Sequence, residues 1–274
     1  MLLSRKGVFM VFYADAHCDT LIYAKKKGSS LFDHPGHVNL KMLESLSDKF
    51  LQFMAIWINP KCKNIKKRAM EVIGFYKEQE KDIAGKINGG LILSLEGGET
   101  LDGSIDSLFE FYDRGARSLC LTWNGENALG CGCLVSDKLF TGLTCFGKQV
   151  VREMDKLHMI IDCSHSSKAL FFDVAELCAG PFMASHSNCF SICSHPRNLS
   201  DDQLRIIGEK KGFVGINLYP SFLSDSGSAG EDSIMAHIDH ALNIAPYIWH
   251  LQQKILCCYR LYFFCIYPCI IQAN

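Results

Sequence analysis

The sequence predicts an α/β fold, a (β/α)8 barrel of the TIM type. Three observations carry that reading. Apolar runs recur along the chain with little internal alternation, as strands buried on both faces of a parallel sheet require. Amphipathic stretches of helical period separate them. Histidines and carboxylates stand where the runs end, the edge at which such barrels place their chemistry.

The first run, from Val8, passes through Phe12-Tyr13-Ala14 into Asp15-Ala16-His17-Cys18-Asp19. Later runs cover Phe50 to Ile58, Gly90 to Leu95, Ser118 to Trp123, Met159 to Cys163, Pro181 to Ala184 and Phe213 to Asn217, which gives seven candidate strands. Between them, Ile65 to Ala84 sets Ile65, Ala69, Val72, Ile73 and Tyr76 on one helical face. Val150 to Leu157, Lys168 to Cys178 and Asp201 to Lys211 follow the same pattern, the last with Ser200-Asp201-Asp202 as its N-cap cluster.

Alternation along a strand puts residues i and i+2 on one side, so His17 and Asp19 are expected to converge on one point. The third run ends in Glu96, the fourth in Asn124, the fifth in His165 and the sixth in His186. A lone histidine after a strand is ordinarily a loop residue; their joint occurrence at one edge makes them candidate metal ligands. Mixed imidazole and carboxylate donors suit zinc or a similar divalent ion. The set fits two ions better than one, with a carboxylate such as Glu96 bridging them. Arg197, in the loop after the sixth run, either reaches over the barrel mouth to hold a carboxylate bidentately or is a plain surface arginine.

The remaining candidates carry less. His34 and His37 flank Pro35-Gly36 and are expected at the surface, and His158 reads as structural. His237 and His240, three apart in a helical pattern, read as solvated or supporting rather than ligating. Ser164 and Ser185 directly precede His165 and His186, and adjacent strand residues point to opposite faces, so no nucleophile–base pair is indicated. Gly97-Gly98 reads as a tight turn beside the metal site, not a phosphate loop.

Composition excludes several classes. The 48% hydrophobic and 21% charged content is that of an ordinary globular protein, and 274 residues suffice for one large domain. A net charge of −1 gives no sign of a nucleic-acid or acidic-membrane partner. The fourteen cysteines are scattered, which favours free thiols and a reducing compartment; the lone Cys131-x-Cys133 is not read as a zinc site. The apolar run behind Arg5-Lys6 leads straight into the first strand and is too short for a cleaved leader, so a cytoplasmic protein is expected.

As a set, these stretches resemble the membrane (renal) dipeptidase family of zinc metallopeptidases, in its bacterial-type branch. The matching segments are Asp15-Ala16-His17-Cys18-Asp19-Thr20, Leu95-Glu96-Gly97-Gly98-Glu99, Leu121-Thr122-Trp123-Asn124-Gly125-Glu126-Asn127, Asp162-Cys163-Ser164-His165-Ser166-Ser167, Ala184-Ser185-His186-Ser187-Asn188 and Pro196-Arg197-Asn198-Leu199-Ser200-Asp201-Asp202. The resemblance implies a barrel of the metal-dependent hydrolase kind with two zinc ions at its mouth. His17 and Asp19 would bind one ion, His165 and His186 the other, and Glu96 would bridge them. It implies hydrolysis of a small dipeptide substrate by attack of a metal-bridging hydroxide, with Arg197 gripping the substrate's free carboxylate. Relatives form homodimers, and the sequence leaves that state open here.

Two departures qualify the resemblance. Trp123 stands where some members carry a histidine that helps hold the developing oxyanion, and Asn124 is the candidate substitute for that substrate-binding donor. The resemblance also stops near Ala245, before the family's eighth strand and its terminal aspartate. Residues 247–274 contain no acidic residue, four cysteines and a heavy aromatic load, and Arg260 and Pro268 interrupt them too often for a membrane span. The chain is therefore read as an incomplete barrel domain over 1–246, strands one to seven present and the eighth missing or replaced, with a divergent tail over 247–274. The expectation is metal binding with impaired turnover. Another metal-dependent amide or lactone hydrolase on the same barrel, and a non-catalytic remnant, are the rival readings.

Overall fold

Seven strands form one sheet in which each pairs in parallel with the next in chain order. They are β1 (Phe12–Cys18), β2 (Lys49–Trp57), β3 (Gly89–Glu96), β4 (Ala116–Cys120), β5 (Ile160–Asp162), β6 (Met183–Ala184) and β7 (Phe213–Val214). The computed structural model describes residues 12–135 and 141–245. The expected tail over 247–274 lies outside the described residues, and among them no eighth strand follows β7.

Helices lie between the strands: α1 (Thr20–Lys27), α2 (Leu40–Leu46), α3 (Ile65–Ile83), α4 (Ile105–Asp113), α5 (Cys145–Lys156), α6 (Lys168–Leu177), α7 (Asp201–Glu209), α8 (Pro220–Leu223) and α9 (Glu231–Ile244). Several of their starts are capped by a side chain. Ser200 and Gln203 form a reciprocal capping box at α7, as the Ser-Asp-Asp cluster predicts. Thr144 accepts from the Gly147 amide at 2.9 Å, which starts α5 earlier than the apolar pattern from Val150 alone indicates. The strands β6 and β7 are shorter than their apolar runs, because Ser185 and Gly215 leave regular pairing for loops that carry side chains to the mouth.

The sheet curls. Ala16 of β1 packs in one interior cluster with Phe53 of β2 and Met183 of β6, and Leu51, Ile92, Ile160 and Phe213 close around them. A flat seven-stranded sheet would hold its first and sixth strands far apart at about 4.8 Å per strand, so this cluster is the inside of a barrel. A second, larger core fills the space between the outward strand faces and the helices.

Register then fixes what reaches the mouth. Trp57 lies opposite Glu96, Glu96 opposite Cys120, and Cys120 opposite Asp162. Paired residues on parallel strands point to the same face, so these four form one inward-facing row at the carboxyl end of β2 to β5. Gly215, just past β7, lies against the carbonyl oxygen of Ser185, with Ala16 beside it, where a Cβ has no room. Replacing Gly215 by alanine is therefore expected to cost about 3 kcal/mol by overpacking, read as a lower urea midpoint at unchanged m-value.

Candidate metal centre

Four segments deliver polar side chains to one point at the barrel mouth. In β1 the register slips between Asp15 and Cys18, a bulge that leaves Ala16 and His17 together against one partner position. Ala16 thereby faces the barrel interior while His17 joins the mouth; the Asp15 carboxylate holds the bulge by accepting from the His17 amide at 3.0 Å. Glu96 ends β3, and the chain turns away through Gly97 at φ 110° and Gly98, whose amide donates to the Leu121 carbonyl at 3.1 Å. His165 occupies the left-handed region at φ 67°, an uncommon conformation for a histidine, and its carbonyl accepts from the Cys133 amide at 2.7 Å. His186 follows β6, and the next amide, of Ser187, donates to Gly215 at 2.8 Å.

His17, Glu96 and His186 place ligand atoms within 4.8 Å of one another, and all three are buried. The two oxygens of Glu96 divide the imidazoles between them. Oε2 lies 3.5 Å from Nε2 of His17, whereas Oε1 lies 3.1 Å from Nε2 of His165 and 3.9 Å from Nε2 of His186. The Nε2 atoms of His165 and His186 are 2.9 Å apart.

The far side of each ring fixes which nitrogen carries the proton. Nδ1 of His165 lies 2.7 Å from Oδ1 of Asn124, an acceptor, so this nitrogen donates and Nε2 keeps its lone pair. Nδ1 of His186 lies 2.7 Å from Oγ of Ser185, whose single proton is given to Oδ2 of Asp162. His186 Nδ1 must then donate to that hydroxyl, and its Nε2 is also a lone pair. Asp162 holds the arrangement further by accepting at Oδ1 from the amides of Ser164 and Ser185, each at 2.9 Å. Two imidazole lone pairs and a Glu96 oxygen thus converge on one point. Mixed imidazole and carboxylate donors of this kind suit a divalent ion of the zinc type.

Electrostatics agree. Burial lowers His17 from its ordinary 6.5 to about 3, helped by the nearby Arg197 cation. Burial lowers His165 and His186 as well, with Arg197 and His17 contributing to both. Burial raises the Glu96 carboxyl well above its usual range, and Asp19 adds to the effect. The imidazoles are therefore neutral, the form that ligates.

The sequence-predicted residues fall into three groups. His17, Glu96, His165 and His186 come together. Asp19 occupies the N-cap position of α1 beyond the end of β1, so strand alternation does not set its place; it is half-buried, outside the 4.8 Å cluster, and its charge is felt at Glu96. Asn124 sits on His165, and Arg197 is 4% exposed, which removes the plain-surface reading of that arginine. Its Nη2 donates to the His186 carbonyl at 3.3 Å, and its guanidinium lies 5.6 Å from the Phe222 ring centre.

His34 is a correction. It is buried rather than on the surface, because the Pro35-Gly36 turn folds its ring back to accept from the Gly36 amide at 3.0 Å. His237 is buried as a supporting residue, accepting from the Cys189 amide at Nδ1, and His240 pairs with Asp201 at 2.8 Å. Cys131 and Cys133 are buried thiols that join no metal-ligand cluster among the described residues. Sequence reasoning gave no role to Asp162, Ser185 or Trp57, though all three sit at strand ends or next to a ligand.

A parallel barrel gathering three neutral imidazoles and a carboxylate at the carboxyl ends of its strands is the architecture of a metal-centred barrel enzyme. The particular family follows from comparison. Residues 65–247 match the model of the membrane dipeptidase family (peptidase family M19), and the chain belongs to that family. An uncharacterised protein encoded in the pqqA 5' region of Klebsiella pneumoniae is 36% identical over 162 residues, 56% of this chain and 60% of that protein. An uncharacterised dipeptidase of Schizosaccharomyces pombe is 32% identical over 161 residues, 58% of this chain and 39% of that protein. The chain thus spans less than two thirds of the length of these relatives. A metallopeptidase of Rhodobacter sphaeroides, solved with a phosphinate mimic of the dipeptide L-Ala-D-Ala, shares the fold at TM-score 0.77 and 24% identity, over 86% of this chain and 83% of that one. A dipeptidase solved as a metallopeptidase of the same family superposes at TM-score 0.75 and 26% identity, over 86% of this chain and 81% of that one. No helix among the described residues is long and apolar enough to cross a membrane.

The pKa pattern predicts the pH response of the metal-free protein. Unfolded imidazoles bind protons near 6.5 that the folded site refuses, so their contribution to stability is present above that pH and is lost as pH falls from 6.5 toward 3. The raised Glu96 carboxyl acts oppositely from its ordinary 4.5 upward, but three imidazoles outweigh one carboxyl below 6.5. The urea midpoint is expected to fall steadily between about pH 6.5 and about pH 5. A flat profile would mean that the folded site accepts those protons.

Proposed function

We propose that the chain is a metal-dependent dipeptidase that cleaves the peptide bond of a short substrate bearing a free carboxylate. Two divalent ions, zinc by the donor types, would be held by His17 with Asp19 on one side and by His165 with His186 on the other. Glu96 would bridge them, and the division of its two oxygens between those groups supports this assignment. When bound, such ions polarise a carbonyl and lower the pKa of water.

The observation that carries the substrate class is Arg197. Its guanidinium is almost fully buried, yet Nη1 has no hydrogen-bond partner. An arginine buried beside a metal site with part of its donor fork unused is matched by a carboxylate, which takes the fork bidentately. That position selects a substrate whose carboxylate stands next to the bond to be cut, as in a dipeptide, over an internal amide or a lactone. Asn124, Ser185 and Asp162 keep the imidazoles aimed, in this reading.

Two outcomes are expected. Zinc at about 100 times its Kd should stabilise the folded chain by roughly 2.7 kcal/mol in a thermal or chemical melt. Glu96→Gln, which keeps the shape of the side chain, should keep the metal-free melt and lose most of the zinc-dependent rise. A melt indifferent to zinc, cobalt and manganese would overturn the metal assignment. Separately, Arg197→Met should reduce metal-dependent release of D-alanine from Gly-D-Ala by roughly 100-fold, mainly through KM, and leave hydrolysis of an uncharged amide or lactone untouched. An equal loss on both substrate types would favour the rival amide or lactone hydrolase.

A further inference from the structure

Trp57 ends β2 and lies directly opposite Glu96 in the β2–β3 ladder, so its side chain faces the mouth with the carboxylate. Its indole Nε1 is shut off from solvent and has no hydrogen-bond partner. Orphaned buried donors are uncommon in folded proteins and call for a physical reason. The ring is not loose: it packs at 5.2 Å against Trp123, which lies 6.2 Å from His165 and directly precedes Asn124.

We infer that Trp57 is a substrate-contacting residue whose indole N–H donates to the oxygen of the scissile carbonyl, an inference that rests on the dipeptidase reading above. An indole N–H only donates, so its partner must be an acceptor. Glu96, the carboxylate opposite Trp57 in the ladder, is directed at the imidazoles and the metal position, which leaves the indole N–H to an acceptor on a ligand. Arg197 follows β6, four strands from β2 in the sheet order and so across the mouth of the curled sheet. A substrate with its carboxylate on Arg197 extends over the ligand cluster toward β2, and its first oxygen beyond the cut bond is the carbonyl oxygen. A donor fixed there strengthens its hydrogen bond as negative charge develops on that oxygen. The Trp57–Trp123 pair also gives the substrate's amino-terminal residue an apolar wall.

Trp57→Phe keeps a ring and removes the donor. The test uses the full chain loaded with zinc and a phosphinate analogue of Ala-D-Ala, whose tetrahedral oxygens take the place of the carbonyl oxygen. Calorimetry should show the variant binding the phosphinate roughly 100-fold more weakly than the parent. Zinc content and affinity for free D-alanine, which carries a carboxylate but no scissile carbonyl, should be unchanged. In turnover the loss should fall on kcat rather than KM, and Trp57→Tyr, which restores a donor on a ring, should recover part of it. Unchanged phosphinate affinity in Trp57→Phe overturns the inference. So does a variant that loses zinc together with the phosphinate, which would give Trp57 a structural role. If the zinc-loaded parent itself fails to bind the phosphinate, the dipeptidase reading falls first and this inference with it.

Discussion

The burial of Glu96 among three imidazoles is the constraint from which the rest of the mouth follows. Four polar side chains are withdrawn from water at one point, at a cost that apolar packing does not repay. Charging all of them is excluded: burial raises the carboxyl and lowers the rings, so the metal-free site is held close to neutral. Convergent lone pairs remain, and the surrounding structure forbids their escape. The site is thus pre-organised.

What forbids escape is a set of backbone devices rather than the side chains themselves. The bulge in β1 turns His17 inward, with Asp15 accepting from its amide. The left-handed backbone of His165 is pinned through its carbonyl by the Cys133 amide from the long loop after β4. Asp162 ties the ends of β5 and β6 together through two amides and one hydroxyl, and that hydroxyl selects the proton position on His186. Each device acts at a strand end, where regular pairing stops and backbone groups are free to be used.

Much of this was legible in the sequence. Apolar runs announce buried parallel strands, and a barrel puts functional residues at their carboxyl ends, so Glu96, His165 and His186 could be read as a group from position alone. The details that depend on departures from regular geometry could not. Alternation suggested that His17 and Asp19 share a strand face, but the bulge and the start of α1 separate them. His34 looked exposed because Pro-Gly marks a turn, and nothing in the pattern shows that the turn closes over its own histidine. Trp57 lies unmarked inside the apolar run from Phe50 to Ile58; its place opposite Glu96 is a matter of register, which pairwise hydrogen bonding fixes and a single strand does not reveal. Asp162 could have been suspected, since an acidic residue inside an apolar run needs a buried partner.

Arg197 gives the site its direction. Its charge helps to lower all three imidazoles, so by the same Coulombic effect it opposes a cation among them. Glu96 and Asp19 counter that opposition. A ligand carboxylate on Arg197 would cancel it outright, so anion binding at the arginine and cation binding at the imidazoles must favour each other. The coupling is reciprocal by linkage, whatever its size. A neutral substrate occupying the same mouth would leave the arginine uncompensated beside the ions. The cluster defines where a metal would sit, and the buried guanidinium next to it defines the charge of the molecule that should be found there.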